Sequence, residues 1–213
     1  MARKPFVPAS THRIFGPGES CTDSVRGDLV LVRNDGAMAE AIRRIQRLRV
    51  APEYCWCNHA AIVLEGGLHA IVSQEGPMGD VETPMANLGA VAFAVVHYSE
   101  ITNSQRDEVA RFARNAVGLG YGYFQIVADA FNGMTGFEFT AGWGDRMVCS
   151  TASCRALERA GLIADRSPYA VNPAHLARYH GVRLPQVVTR FQTTPSGLRA
   201  WASTHRAGSE DDP

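Results

Sequence analysis

Aromatic residues make up only 8% of this 213-residue chain, and Lys plus Arg equal Asp plus Glu at 21 each. The balanced charge gives no global attraction to nucleic acid or to an anionic membrane. The opening Met1-Ala2-Arg3-Lys4-Pro5-Phe6 lacks the continuous apolar stretch of a secretory leader. No segment reaches the roughly 20 apolar residues of a membrane-spanning helix. These absences predict a soluble protein made in the cytoplasm, with release by a leaderless route such as phage assembly or host lysis left open. The five cysteines form an odd set at irregular intervals, which fits reduced thiols better than a disulfide framework. Internal repeats are missing too.

What is present is enough apolar residue, 46%, to bury one sizeable core, so one domain with an arm and a tail is expected. Residues 1–26 are rich in Pro, Gly, Ser and Thr and read as an N-terminal arm; 27–192 read as the domain; 193–213 are polar and read as a flexible tail. Apolar runs predict strands over 27–33, 59–64, 68–74 and 91–97. The connections between them are too short for helical crossovers, so the sheet should be mostly antiparallel. Helices are predicted over 36–48, capped by Asn34 or Asp35; from a capping box at Thr102-Asn103-Ser104-Gln105 to near Gly118 or Gly120; over 123–131; and over 149–160, stopped by Gly161. Asn172-Pro173 should start a last short helix that Gly181 ends. In the helix over 36–48, Met38, Ile42, Ile45 and Arg49 separate an apolar from a basic face, which reads as structural packing, with Arg43, Arg44, Arg47 and Arg49 a solvated face that could also attract an acidic partner. The class is α+β.

Two residues carry the chemistry. Cys149 opens an amphipathic helix, where unpaired N–H groups and aligned peptide dipoles favour a thiolate. His59 opens an apolar strand ninety residues earlier, and an imidazolium beside the sulfur would favour thiolate further. A thiol hydrolase needs a thiolate, a proton-shuttling base, a group orienting that base, and N–H donors for the oxyanion. Cys149 and His59 fit the first two roles, and the N–H of Cys149 or Ser150 fits the last. The orienting group depends on hairpin register: an odd loop such as Glu65-Gly66-Gly67 brings Glu75 to the face of His59, whereas a two-residue Gly66-Gly67 turn brings Gln74 there. Glu75 is the expectation. Cys154 reads as core and Cys21 carries no signal. Cys55, Cys57 and His59 alternate along an extended segment, as a zinc site could, but the spacing is poor for structural zinc. The hydrolase reading needs no metal and no organic cofactor. His69 is a weaker base candidate, His97 a rim residue, and His175 and His180 helix-surface residues. Tyr121, Tyr123 and Phe124 line a cleft or pack under the sheet.

The ordered set Gly27-Asp28-Leu29-Val30, Asn58-His59-Ala60-Ala61-Ile62-Val63, Gln74-Glu75-Gly76, Gly120-Tyr121-Gly122-Tyr123, Cys149-Ser150 and Asn172-Pro173-Ala174-His175-Leu176 resembles the circularly permuted branch of the NlpC/P60 papain-like superfamily, in particular YiiX-like proteins. The resemblance spans about residues 27–179. It implies a papain-like fold, a His59, Glu75 and Cys149 triad, and a cysteine peptidase or amidase cleaving an amide bond in a peptide or peptidoglycan stem through a thioester acyl-enzyme. A lipid-like acyl substrate, cleaved as ester or thioester or used in acyl transfer, is the second implication. Val148 stands where relatives carry an aromatic residue, typically tyrosine; on that departure rests the alternative of a catalytically impaired peptide-binding or assembly module. Neither nucleic acid nor a membrane span is expected among its partners.

Overall fold

A computed structural model describes residues 9–67, 71–76, 79–117, 149–162, 168 and 171–183, with backbone alone for 71, 74–76, 79 and 80. The chain divides into two units, Met1–Arg183 and Leu184–Pro213, and every described residue belongs to the first. The tail predicted over 193–213 and the helix predicted over 123–131 lie outside the described residues, as do His69, Tyr121, Tyr123, Phe124 and Val148.

The first unit is α+β. Six strands, β1 (Ser10–Phe15), β2 (Leu29–Arg33), β3 (His59–Glu65), β4 (Ile71–Gly76), β5 (Gly79–Pro84) and β6 (Ala92–Tyr98), form a sheet in the order β1-β6-β2-β3-β4-β5. Every pairing in it is antiparallel. The helices are α1 (Ala37–Gln46), α2 (Asn103–Ala116), α3 (Cys149–Arg159) and α4 (Pro173–Tyr179). None among the described residues is long and apolar enough to cross a membrane.

Strands β2, β3 and β6 are the centre because almost every residue in them is buried, as continuous Val, Leu, Ile and Ala runs require. Val30, Val32, Ala61, Val63, Val72, Phe93 and Val95 join Phe15, Cys21, Met85 and Leu88 in one core layer. Helices α2 and α3 pack on each other and on β3. The capping box is formed as expected, with the Thr102 hydroxyl accepting from Gln105 N and the Gln105 side chain answering to Thr102 N. The same Gln105 side chain donates to Ala160 O at 2.9 Å, tying the start of α2 to the end of α3. Both α3 and α4 end in Schellman turns: Leu162 N donates to Leu157 O across Gly161 (φ 72°), and Val182 N to Ala177 O across Gly181 (φ 65°).

Four features depart from the expectation. Residues 10–15, inside the predicted arm, are an edge strand pairing β6; its mostly exposed Thr11-His12-Arg13 shows no buried alternation for a sequence reading to find. Strand β5 was not anticipated, because Gly79-Asp80-Val81-Glu82-Thr83-Pro84 has little apolar content. Helix α1 is capped by Gly36 at φ 110°, not by the side chain of Asn34 or Asp35, and it turns its polar side inward: Arg43 and Gln46 are buried while Met38 is 59% exposed. Finally, β3 carries a bulge.

Candidate active site

Cys149 is the first residue of α3 and is 5% exposed. His59 is the first residue of β3, pairs with Val32 of β2, and is fully buried. Because α3 packs on β3, the helix carrying the thiol and the strand carrying the imidazole are direct neighbours. Cys57, two residues before His59, lies close enough to Cys149 for charge on one sulfur to act on the other. The structure thus brings the start of α3 to the loop that leads into β3.

That loop is held from three sides. Gln46, 1% exposed, donates from Nε2 to Cys57 O at 2.9 Å and accepts at Oε1 from Ala174 N at 2.7 Å, so one side chain ties α1 to the loop and to the first turn of α4. Arg43, 5% exposed, donates to Asn58 Oδ1 at 3.2 Å and to Asn34 O at 2.7 Å, and pairs with Glu40. Trp56 donates from its indole nitrogen to Val182 O at 3.0 Å. The sequence reading gave Gln46 no role and put Arg43 in water. A helix pattern alone does not show that a neighbouring loop offers buried backbone groups for an inward polar side chain.

Four of the five thiols are disfavoured as nucleophiles. Burial pushes Cys57 up strongly and Cys154 up to about 12, and it raises Cys55 and Cys21 as well. Cys55 points at the carbonyls of Val50 and Ala51. Among the described residues no three His, Cys, Asp or Glu side chains converge as a metal ion would need, and Cys55, Cys57 and His59 are not such a group.

The register that was to choose the orienting group is set by the bulge. Glu65 pairs with Ile71 and Val63 with Val72, so Leu64 is the extra residue and the pairing changes parity there. On the Val63–Val72 register, position 74 rather than 75 falls in step with His59 and Ala61. The two strands also begin to part: the amide of Ile62 is bound by the Ser73 hydroxyl at 3.1 Å.

A second histidine and carboxylate meet elsewhere. His97 Nδ1 lies 3.1 and 3.2 Å from the oxygens of Asp28, which is 1% exposed and also accepts from Arg106 Nη1 at 3.0 Å and from Val25 N at 2.8 Å. Arg106 continues to Tyr98 O. Gly27, at φ 83°, is needed here, since a Cβ would come within 3.1 Å of the backbone of Arg106. The Asp28 and His97 pair lines a cavity of about 350 Å³ together with Cys21. Cys21 itself donates to Asp23 Oδ1 at 3.4 Å and its thiol is pushed up chiefly by burial, so this constellation holds no activated nucleophile. Its salt bridge fastens α2 to the sheet.

His175 and His180, expected on a helix surface, are both buried. His175 closes the α4 capping box with Asn172. His180 joins Ser10 Oγ at 3.1 Å and Tyr98 Oη at 3.2 Å, and burial pushes it down to about 4. No family model and no curated protein matches the chain.

Proposed function

We propose that the protein is a cysteine-dependent hydrolase of the permuted NlpC/P60 papain-like kind, with Cys149 as nucleophile and His59 as its acid–base partner. The observation that carries this is the seating of the α3 N-terminus, with Cys149 as its first residue, against the segment 57–59. His59 begins its strand in step with Ala61 and Val63, whose side chains lie in the core layer with Val30 and Val32.

The Cys149 thiolate attacks the carbonyl carbon of an amide, and the N–H groups of the first turn of α3 hold the resulting oxyanion. The tetrahedral adduct expels the amine, which takes a proton from the His59 imidazolium and leaves a thioester on Cys149. His59 then removes a proton from water, whose oxygen displaces the sulfur and frees the acid. The orienting role falls to Glu75 or Gln74, with the bulged register favouring Gln74.

A lipid ester or thioester is the second reading. It is favoured by the exposed Met38 and Leu48 of the α1 region, which adjoins the site through Gln46.

The test is covalent labelling of the whole chain with an electrophilic peptide amide analogue, mapped by mass spectrometry. The proposal expects a single adduct on Cys149, absent in Cys149→Ala and slowed in His59→Ala. Equal labelling of Cys57 and Cys154 would overturn it.

A further inference from the structure

Helix α1 shows solvent the residues that a helix normally hides. Met38 and Leu48 are 59% and 55% exposed, Ala41 is exposed, and Ile42 and Ile45 are half-buried. Positions 38, 41, 42 and 45 recur at the three- and four-residue spacing that lines one side of a helix, and Leu48 extends the row in the turn after α1, where its N–H donates to Ile45 O. Their presence outside is no packing fault, because the inward side is fully occupied: Arg43 and Gln46 spend their polar atoms on Asn34 O, Asn58, Cys57 O and Ala174 N. Rotating α1 to bury the stripe would break those four contacts.

The rim of the stripe is cationic. Arg44 has a side chain 73% exposed, Arg47 is exposed and Arg49 half-buried. Arg33, at the end of β2, is near enough to Arg43 and Arg47 for their charges to act on it. The only acids in residues 33–49 are Asp35 and Glu40, and Glu40 is engaged by Arg43 and Arg44. A chain with no net charge has set the exposed Arg44 and Arg47 and the half-buried Arg33 and Arg49 beside one exposed apolar ridge.

We infer that α1 is an interfacial element that seats this face of the protein on an anionic lipid surface, with the Met38 to Leu48 stripe entering the headgroup and acyl boundary and the arginines meeting lipid phosphates. The surplus of arginine over acid beside an apolar stripe complements a negatively charged boundary that offers phosphates and an apolar layer together. Arginine suits the role because its stem can lie along the apolar region while its guanidinium stays at the phosphates. The inference is independent of the chemistry at Cys149.

The full chain is sedimented with vesicles of phosphatidylcholine alone and of phosphatidylcholine with phosphatidylglycerol. Binding to the anionic vesicles should be stronger by about tenfold or more and should fall with added salt. Arg44→Gln with Arg47→Gln, and separately Met38→Ser with Leu48→Ser, should each weaken it by about tenfold while the melting temperature stays put. Equal binding to both vesicles, or unchanged binding of either double variant, overturns the inference. So does a drop in melting temperature for Met38→Ser with Leu48→Ser, which would mean that the stripe is covered by the chain itself, or a wild-type dimer that this variant dissociates, which would make the stripe a contact between copies.

Discussion

Helices α1 and α3 are both about three turns long and amphipathic, and they bury different surfaces. In α3 the buried set is Cys149, Ala152, Cys154, Ala156 and Leu157 with the small polar Ser150, Thr151 and Ser153, while in α1 it is Ala39 with the long polar Arg43 and Gln46. The difference lies in what each meets. Helix α3 lies on β3 and α2, where its apolar Ala156 and Leu157 are fully buried. Helix α1 meets the carbonyl of Cys57 and the side chain of Asn58 in the loop before β3 and the amide of Ala174 in the first turn of α4, which would otherwise be stranded from water. Burying an unmet polar group costs more than leaving a methionine in water, so the polar side goes in.

That contrast makes graded predictions for stability. Leu157→Ala, at a fully buried α3 position, should cost about 2–5 kcal/mol in urea unfolding; a loss below about 1 kcal/mol would show that α3 is loosely packed. Acid should act through another buried polar group. His180 is held neutral, its value lowered from 6.5 to about 4, so the unfolded chain binds the proton first as pH falls. Its contribution to stability is intact above about 6.5, is lost between there and about 4, and falls no further below. The loss should approach about 3 kcal/mol, and His180→Gln should flatten that part of the profile; an unchanged profile in this variant would assign the acid loss to other groups.

Gln46→Leu keeps bulk but strands Cys57 O and Ala174 N, and should cost about 1–3 kcal/mol. A neutral result would remove the reason given for the inward polar side of α1. Smallest of all, Leu48→Ala should change stability by less than about 0.5 kcal/mol, although leucine and the helical spacing are the same features that make Leu157 costly.

Much of this was legible in the sequence because it is written in local chemistry. Thr102 with Gln105, Asn172 before Pro173, and the glycines at 161 and 181 mark helix ends through hydrogen bonds or φ values that need no distant partner. The apolar runs of β2, β3 and β6 declare themselves as buried strands. What could not be read depends on the partner surface. The inward face of α1 is set by residues 57, 58 and 174; β1 is a strand only because β6 is there to pair with it; and the bulge at Leu64, which changes the register between His59 and positions 74 and 75, leaves no mark in Glu65-Gly66-Gly67. At the candidate site, the positions of Cys149 at a helix start and His59 at a strand start came from local pattern, while the Gln46 and Arg43 supports around them did not.

The central claim is that Cys149 and His59 act as one unit. The most direct test is a double-mutant cycle on the hydrolysis of a small activated thioester by the full chain, with Cys149→Ala, His59→Ala and the double variant. Residues that work as a unit give strongly non-additive losses, so the double variant should be no slower than Cys149→Ala alone. Losses that simply add, or a His59→Ala chain that keeps the wild-type rate, would contradict the account.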